Sequence, residues 1–389
     1  MSFKRIIFWA HLIAGVLAGV IIFTMSATGV LLTYERQMID MAERSYFVEP
    51  APDKAPLTLD QLSESVKQAT GGKQGVSLVF SETPKSPVVA KIGRNEQLLI
   101  DPYTGEVLGE GATGLRNFFS TVTDFHRWLA LSGDARQTGK SIVDLANMLF
   151  LFIIISGIYI WLPKVWRWNL VKLKLVFRRN LPNAKARDYN WHNVLGIWMM
   201  IPLFFIVTTA VVFSYSWANK LVYQAYGEEA PARRGPPGNA APSAKGDTDQ
   251  SATEATASLP LQELLETAKG YSIDWETVSL TLPKPGDQTV AVTVDTGTGG
   301  EPTKQTQLQL STTSGEIVEV APFSSRTPGQ QARVYIRFLH TGESLGVIGQ
   351  TIAGLASLAA CFMVYTGLAL AYRRLIQPIV IRRRKAKLA

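Results

Sequence analysis

Trp9-Ala10-His11-Leu12-Ile13-Ala14-Gly15 and Trp191-His192-Asn193-Val194-Leu195-Gly196 are two copies of one phrase. Each opens a long apolar segment, and each follows its histidine with glycine four residues on. Further along, at equal offset, Thr28 answers Thr209 and Tyr34 answers Tyr215. The chain has 389 residues and only 4 histidines. The other two are His126, in Asp124-Phe125-His126-Arg127-Trp128, and His340, in Phe338-Leu339-His340; each stands just ahead of another apolar segment. A chain that duplicates itself and keeps every histidine at matching places points to imidazoles used in facing pairs. Inside a membrane the commonest use of such a pair is axial ligation of one haem iron.

Four stretches, 6–34, 145–162, 191–219 and 345–372, lack Asp, Glu, Lys and Arg. Each is long enough to cross a bilayer, which takes roughly 20 apolar residues. Lipid cannot satisfy exposed backbone groups, so each is expected to be a helix. The first is too long for a signal-peptide core and is read as retained. Lys4 and Arg5 precede it; 164–188 carries eight basic residues against one acid, and the tail beyond 372 carries seven basic residues and no acid. The excess of Lys and Arg puts these three segments, and both termini, in the cytoplasm. The net charge of +8 is then mostly topology: it fits contact with anionic membrane lipid and argues against a nucleic-acid partner.

The two long segments between spans then lie outside the cytoplasm. Both begin with an apolar-periodic helix (Leu57-Thr58-Leu59-Asp60-Gln61-Leu62 and Leu259-Pro260-Leu261-Gln262-Glu263-Leu264). Both continue as alternating strands, at 76–80, 88–92 and 97–100 and at 277–282, 289–294 and 306–310. Each closes on a tight turn, Asp101-Pro102-Tyr103-Thr104-Gly105-Glu106 and Thr312-Thr313-Ser314-Gly315-Glu316. The stretch 228–258 is Pro, Gly, Ala, Ser and Thr with almost no large apolar residue, and is expected to be a disordered linker. The fold class is a membrane protein of four transmembrane α-helices with two outside α+β domains, internally duplicated. Its segments are 1–34 (helix), 35–140 (domain), 141–163 (helix), 164–188 (basic loop), 189–219 (helix), 220–344 (domain), 345–372 (helix) and 373–389 (basic tail).

Related halves side by side in one bilayer meet around an axis along the membrane normal. Equivalent residues then share a depth, so His11 pairs with His192 near the cytoplasmic face and His126 pairs with His340 near the other. A single imidazole near a helix end is ordinarily an interfacial group bonded to water or backbone; that reading does not explain why the repeat keeps all four. Gly15 and Gly196 let either a flat porphyrin or another helix approach, and Gly157 and Gly367 carry the same two readings. Trp161, Trp166, Trp168, Trp217 and Tyr372 read as interfacial belts. Cys361 is alone, and zinc-type or covalent-haem spacing such as Cys-x-x-Cys-His is absent from the sequence, so the haems are expected to be non-covalent, b-type. The chain shows no nucleotide or flavin motif, so its electrons are expected from an external donor, a quinol or a soluble reductase.

Phe125-His126-Arg127-Trp128-Leu129, Trp191-His192-Asn193-Val194-Leu195-Gly196 and Phe338-Leu339-His340, with the two turns above, resemble the PepSY-associated transmembrane helix family, and within it the inner-membrane ferric-siderophore reductases of the ferrioxamine type. The resemblance spans nearly the whole chain. It implies PepSY-like periplasmic domains, two haem b held by His11, His126, His192 and His340, and reduction of a ferric siderophore that releases iron as ferrous ion. The second domain departs from the pattern by lacking Asp-Pro-Tyr in its turn. The expected mechanism is an electron relay from the His11–His192 level to the His126–His340 level and on to an Fe(III) chelate, by outer-sphere transfer that leaves no side chain an acid–base task. Arg127, Arg136, Arg333 and Arg337, near the outer pair, neutralise haem propionates, attract an anionic chelate, or are merely solvated or lipid-facing charge. Two rivals are a non-redox PepSY-type binding or regulatory protein and a histidine-lined transporter. The absence of Asp and Glu from all four spans speaks against the second.

Overall fold

The structure is a computed structural model that describes residues 2–50, 54–93, 96–163, 165–231, 258–284 and 286–388. The expected linker at 228–258 therefore lies, from 232 to 257, outside the described residues. Along the chain the helices are α1 (Phe3–Leu32), α2 (Glu35–Glu43), α3 (Leu59–Thr70), α4 (Thr113–Trp128), α5 (Ala135–Trp161), α6 (Trp168–Leu175), α7 (Ala184–Ser214), α8 (Ser216–Gln224), α9 (Leu261–Gly270), α10 (Pro328–Thr341), α11 (Gly346–Leu375) and α12 (Gln377–Leu388). The strands are β1 (Val76–Ser81), β2 (Val88–Ile92), β3 (Glu96–Ile100), β4 (Val107–Gly109), β5 (Thr277–Thr281), β6 (Thr289–Asp295), β7 (Gln305–Ser311) and β8 (Ile317–Pro322). They form two units: a helical bundle (1–37, 114–221 and 335–389) and a sheet unit (38–113 and 222–334).

In the bundle, α1, α5, α7 and α11 are long and apolar enough to cross a membrane. Each touches two others in a ring, α1 and α7 both packing against α5 and α11, so α1 and α7 stand at opposite corners. Small residues make this close approach possible: Ala18 and Ala146 on one side, Ala356 and Ala360 on the other, are almost fully buried. Large side chains such as Leu17 and Ile348 point outward and are mostly exposed, as a lipid solvent requires. Polar ties are few. Asn147 donates to the carbonyl of Val207 at 3.2 Å. At the basic end the wholly buried Asp188 carboxylate accepts from Arg187 at 2.9 Å and pairs with Arg373 of α11. Removing one partner of such a buried pair costs about 3–5 kcal/mol, so this contact pins α7 to α11. Helix α5 starts at Ala135, earlier than the apolar run at 145 and the boundary expected at 141, and in this added stretch Lys140 pairs with Asp144 one turn on.

In the sheet unit the two soluble segments share one antiparallel sheet, ordered β4-β3-β2-β1-β5-β6-β7-β8. The seam is β1 against β5. Leu78 pairs with Leu280, both wholly buried, and the flanking Ser77 and Ser279 hydroxyls bond each other at 2.8 Å. Equivalent residues thus meet about a local two-fold through Leu78 and Leu280. The helices exchange caps across the same axis: Asp60 of α3 accepts from the Leu261 and Gln262 amides that open α9, and Gln262 accepts from the Leu59 amide that opens α3. Leu59, Leu62 and Val66 from α3 and Leu264, Leu265 and Ala268 from α9 bury against one face in a common core.

The closing turns differ in letters and agree in geometry. Asp101 Oδ1 accepts from the Tyr103 and Thr104 amides, and Ser311 Oγ accepts from the Thr313 and Ser314 amides. Gly105 and Gly315 follow at φ 75° and 72°. A serine hydroxyl makes the same local turn as an aspartate, more weakly.

Candidate functional site

Each bundle helix carries a hydroxyl residue whose side chain bonds back to its own helix. Ser156 Oγ donates to the Phe152 carbonyl at 2.7 Å, Thr28 Oγ1 to Thr24 at 2.7 Å, Thr366 Oγ1 to Phe362 at 2.9 Å and Thr209 Oγ1 to Phe205 at 2.7 Å. Having spent its only proton, each hydroxyl can only accept from a further partner. In all four cases that partner is Nδ1 of a histidine. His11 of α1 meets Ser156 of α5 at 2.9 Å, and His192 of α7 meets Thr366 of α11 at 3.1 Å. His126 of α4 meets Thr28 of α1 at 2.9 Å, and His340 of α10 meets Thr209 of α7 at 3.1 Å. The carbonyl three residues before the hydroxyl faces the same nitrogen in two cases, Met363 for His192 at 3.1 Å and Ile206 for His340 at 2.9 Å, and the corresponding carbonyls of Ile153 and Met25 bond His11 and His126. Neither a carbonyl nor a hydroxyl that has spent its proton donates, so Nδ1 carries the hydrogen in every ring.

The consequence lies on the far side of each ring. With Nδ1 protonated, a neutral imidazole presents the Nε2 lone pair. No hydrogen bond among the described residues reaches Nε2 of any of the four. Burial, then the nearby His340, push the His126 imidazole down to about 4, and burial likewise lowers His340, so both rings are neutral at pH 7.

The rings are also paired. His126 and His340 lie with centroids 6.5 Å apart and planes at 62°. A metal–imidazole bond is about 2 Å, so two rings on one ion have centroids roughly 6–6.5 Å apart. His11 and His192, from opposite corners of the bundle, are electrostatic neighbours. Among the described residues no group of three or more His, Cys, Asp or Glu is placed to hold a bare metal ion. Two imidazoles per site are too few for a zinc shell, whereas a bis-histidine haem iron asks two nitrogens of the protein. The donor set therefore fits a bis-histidine haem.

Of the four glycines that the sequence offers for a porphyrin or helix approach, Gly15 and Gly196 do not flank a histidine: beside Gly15 there is open space, and Gly196 faces the sulfur of Met363. The glycines that matter here are Gly157 and Gly367. A Cβ at Gly157 would lie 3.4 Å from His11 Cε1, and one at Gly367 would lie 3.3 Å from His192 Cε1. Gly29 stands in the same relation to His126 at 3.8 Å. Ser156-Gly157, Thr28-Gly29, Thr366-Gly367 and Thr209-Ala210 are thus four copies of a hydroxyl–small dipeptide, a repeat too short to stand out in the sequence without the rings it receives.

The helices bearing His126 and His340 were missed as helices. In α4, Phe119, Val122 and His126 share one face, and the first two are buried. The turn after α4 is strained, for Leu129 and Ala130 both adopt φ 55°. Of the four arginines, Arg127, Arg136 and Arg337 are brought together, whereas Arg333 belongs to the sheet unit, beside Tyr223.

Fold and site together define an internally duplicated four-helix membrane protein whose soluble segments build a PepSY-like sheet. The chain belongs to the PepSY-associated TM region family, whose family model matches residues 8–374 and so takes in all four histidines. Comparison with curated proteins gives no match.

Proposed function

We propose that this chain is a di-haem b oxidoreductase of the bacterial inner membrane. In this reading it passes electrons from a cytoplasmic-side donor, a quinol or a soluble reductase, to a periplasmic ferric siderophore and releases the iron as Fe(II). The observation that carries the reading is the fourfold cradle. Four Nδ1–H groups are fixed by a hydroxyl and a carbonyl, so four Nε2 lone pairs are left, in two pairs, for an electron-accepting metal. His11 with His192, and His126 with His340, would hold one haem b each, and the two groups would supply reversible one-electron iron chemistry at two levels of the bilayer.

The chain's own residues do the rest. The cradles orient the rings and make them more basic ligands, a contribution that elsewhere amounts to about 10–100-fold in metal affinity or activity. The levels are set by α1 and α7, each of which carries a histidine near its start and a cradle hydroxyl near its end. Between them the bundle core is apolar, built from Ile154, Leu203, Val207 and Ala356 with Phe150 and Met199. Basic residues crowd the 164–188 loop and the 373–389 tail, which supports a cytoplasmic position for them and a periplasmic one for the sheet unit. Each Fe(III) takes one electron, so a two-electron quinol serves two chelates. Hard oxygen chelators hold Fe(II) less tightly than Fe(III), so reduction loosens the complex.

The test is direct. Protein from haem-replete cells is expected to be red, with two b-type haems per chain. When reduced anaerobically, it is expected to be reoxidised by a ferric siderophore as Fe(II) appears in a chromogenic trap. A colourless preparation would overturn the proposal and favour a non-redox regulatory role.

A further inference from the structure

Arg127 follows His126 directly, Arg337 precedes His340 by one helical turn, and Arg136 opens α5. The three guanidiniums lie close enough that Arg136 and Arg337 both act electrostatically on Arg127. Arg127 and Arg136 both stack on the indole of Trp128, at 4.4 and 3.7 Å from the ring centroid. Arg337 leans on Phe338 at 5.8 Å. Asp124, on the same helix, acts on Arg127 without pairing with it. Among the described residues none of the three arginines forms an ion pair. Arg36, at the same end of α1, does so with Glu343 at 3.1 Å. Three like charges gathered without an ion-paired carboxylate are costly as they stand, and an anion relieves them. Guanidinium is the side chain that grips planar oxyanions in a two-pronged contact.

We propose that Arg127, Arg136 and Arg337 form a binding site for net-anionic ferric chelates, those with carboxylate or catecholate oxygens, beside the His126–His340 pair. The inference rests on the functional reading above for the word ferric, and on the arginine geometry alone for the word anionic. All three side chains are exposed, so a diffusing ligand reaches them. A cationic chelate is repelled by the same field. The shared oxyanion chemistry also belongs to lipid phosphate, so the test separates the two sources.

The experiment uses the full chain in neutral detergent and a redox-inert probe, the trianionic gallium(III) tris-catecholate, with a cationic gallium hydroxamate as control. Calorimetry is expected to give at least about tenfold tighter binding of the anion, weakening steeply with added salt. Arg136→Gln and Arg337→Gln are each expected to weaken it roughly three- to tenfold, with Arg136→Lys in between and haem content unchanged in all three. Equal affinity for the two probes, or unchanged affinity in both glutamine variants, would overturn the site. So would loss of the outer haem in those variants with anion binding intact, because the arginines would then serve the porphyrin's own carboxylates. A last arm repeats the titration in nanodiscs. Binding kept in phosphatidylcholine but abolished by phosphatidylglycerol would assign the arginines to lipid headgroups and overturn the proposal. Anion binding by a preparation that carries no haem would leave the site standing and sink the functional reading instead.

Discussion

The two halves of the chain solve one problem twice, and they differ where the solution has slack. Both hold a histidine by Nδ1 against a hydroxyl–small dipeptide at two levels. At the His11 and His192 level the small residue is glycine in both halves, and the ring carbon stands 3.4 and 3.3 Å from where a Cβ would be. At the other level one half has Gly29, where a Cβ would stand 3.8 Å from the ring carbon and 3.3 Å from Ser357 Oγ, and the other has Ala210. The difference teaches that the ring itself leaves less room beside the small residue at the first level than at the second, where one half already carries a methyl. The turns differ the same way. The chain leaves α10 through Gly342 at φ 80°, but leaves α4 through Leu129 and Ala130 at φ 55°, where a side chain costs about 1–2 kcal/mol each.

The comparison breaks most visibly if a ligand is removed. His340→Leu is expected to abolish the outer haem, seen as loss of about half the b-type absorbance by a pyridine haemochrome assay, while His192→Leu takes the other half; loss of both from either change would mean the levels are not independent. A smaller effect comes from the glycines. Gly367→Val is expected to push the His192 ring off Thr366 and deplete the inner haem several-fold, and Gly29→Ala is expected to leave haem content unchanged, as Ala210 already shows for its counterpart. An equal effect of the two would mean that the two levels pack alike. Next come the hydroxyls. Thr28→Val leaves His126 only the Met25 carbonyl, and is expected to lower affinity for added haem about tenfold, with Thr28→Ser restoring it; heme titration of the apoprotein reads both. The smallest change is Ala130→Gly, expected to stabilise the α4–α5 turn by about 0.5–1 kcal/mol, seen as a rise in thermal midpoint; a fall would mean that the left-handed pair is not strained.

Much of this architecture is legible in the residues. The four spans follow from charge-free length, and six of the eight strands from alternation, because both signals are local. The histidine phrase exposes the duplication. What could not be read is whatever depends on contacts far apart in the chain. The seam between Ser77 and Ser279 joins residues 202 apart, and no local periodicity announces it. Helices α4 and α10 are amphipathic and short, so next to the long apolar spans they read only as approaches. The cradles escaped for a different reason. Ser156 and Thr366 look like ordinary hydroxyls in a membrane helix until the ring they receive is known. Thr28 and Thr209 were noticed as repeat partners without their task being visible. In the second closing turn the missing Asp-Pro-Tyr changes nothing in the fold, because Ser311 accepts the same amides as Asp101.

The shared sheet also has a consequence for how the protein is made. Until β5 is synthesised, β1 has an unsatisfied edge, and α9 is not there to exchange caps with α3. At about 5–20 residues per second, the interval between the two strands lasts roughly 10–40 s. For that time the first half waits as an open template for any passing extended chain. A ribosome that stalls within the third span should therefore yield a product prone to clump, whereas one that stalls after β8 should not.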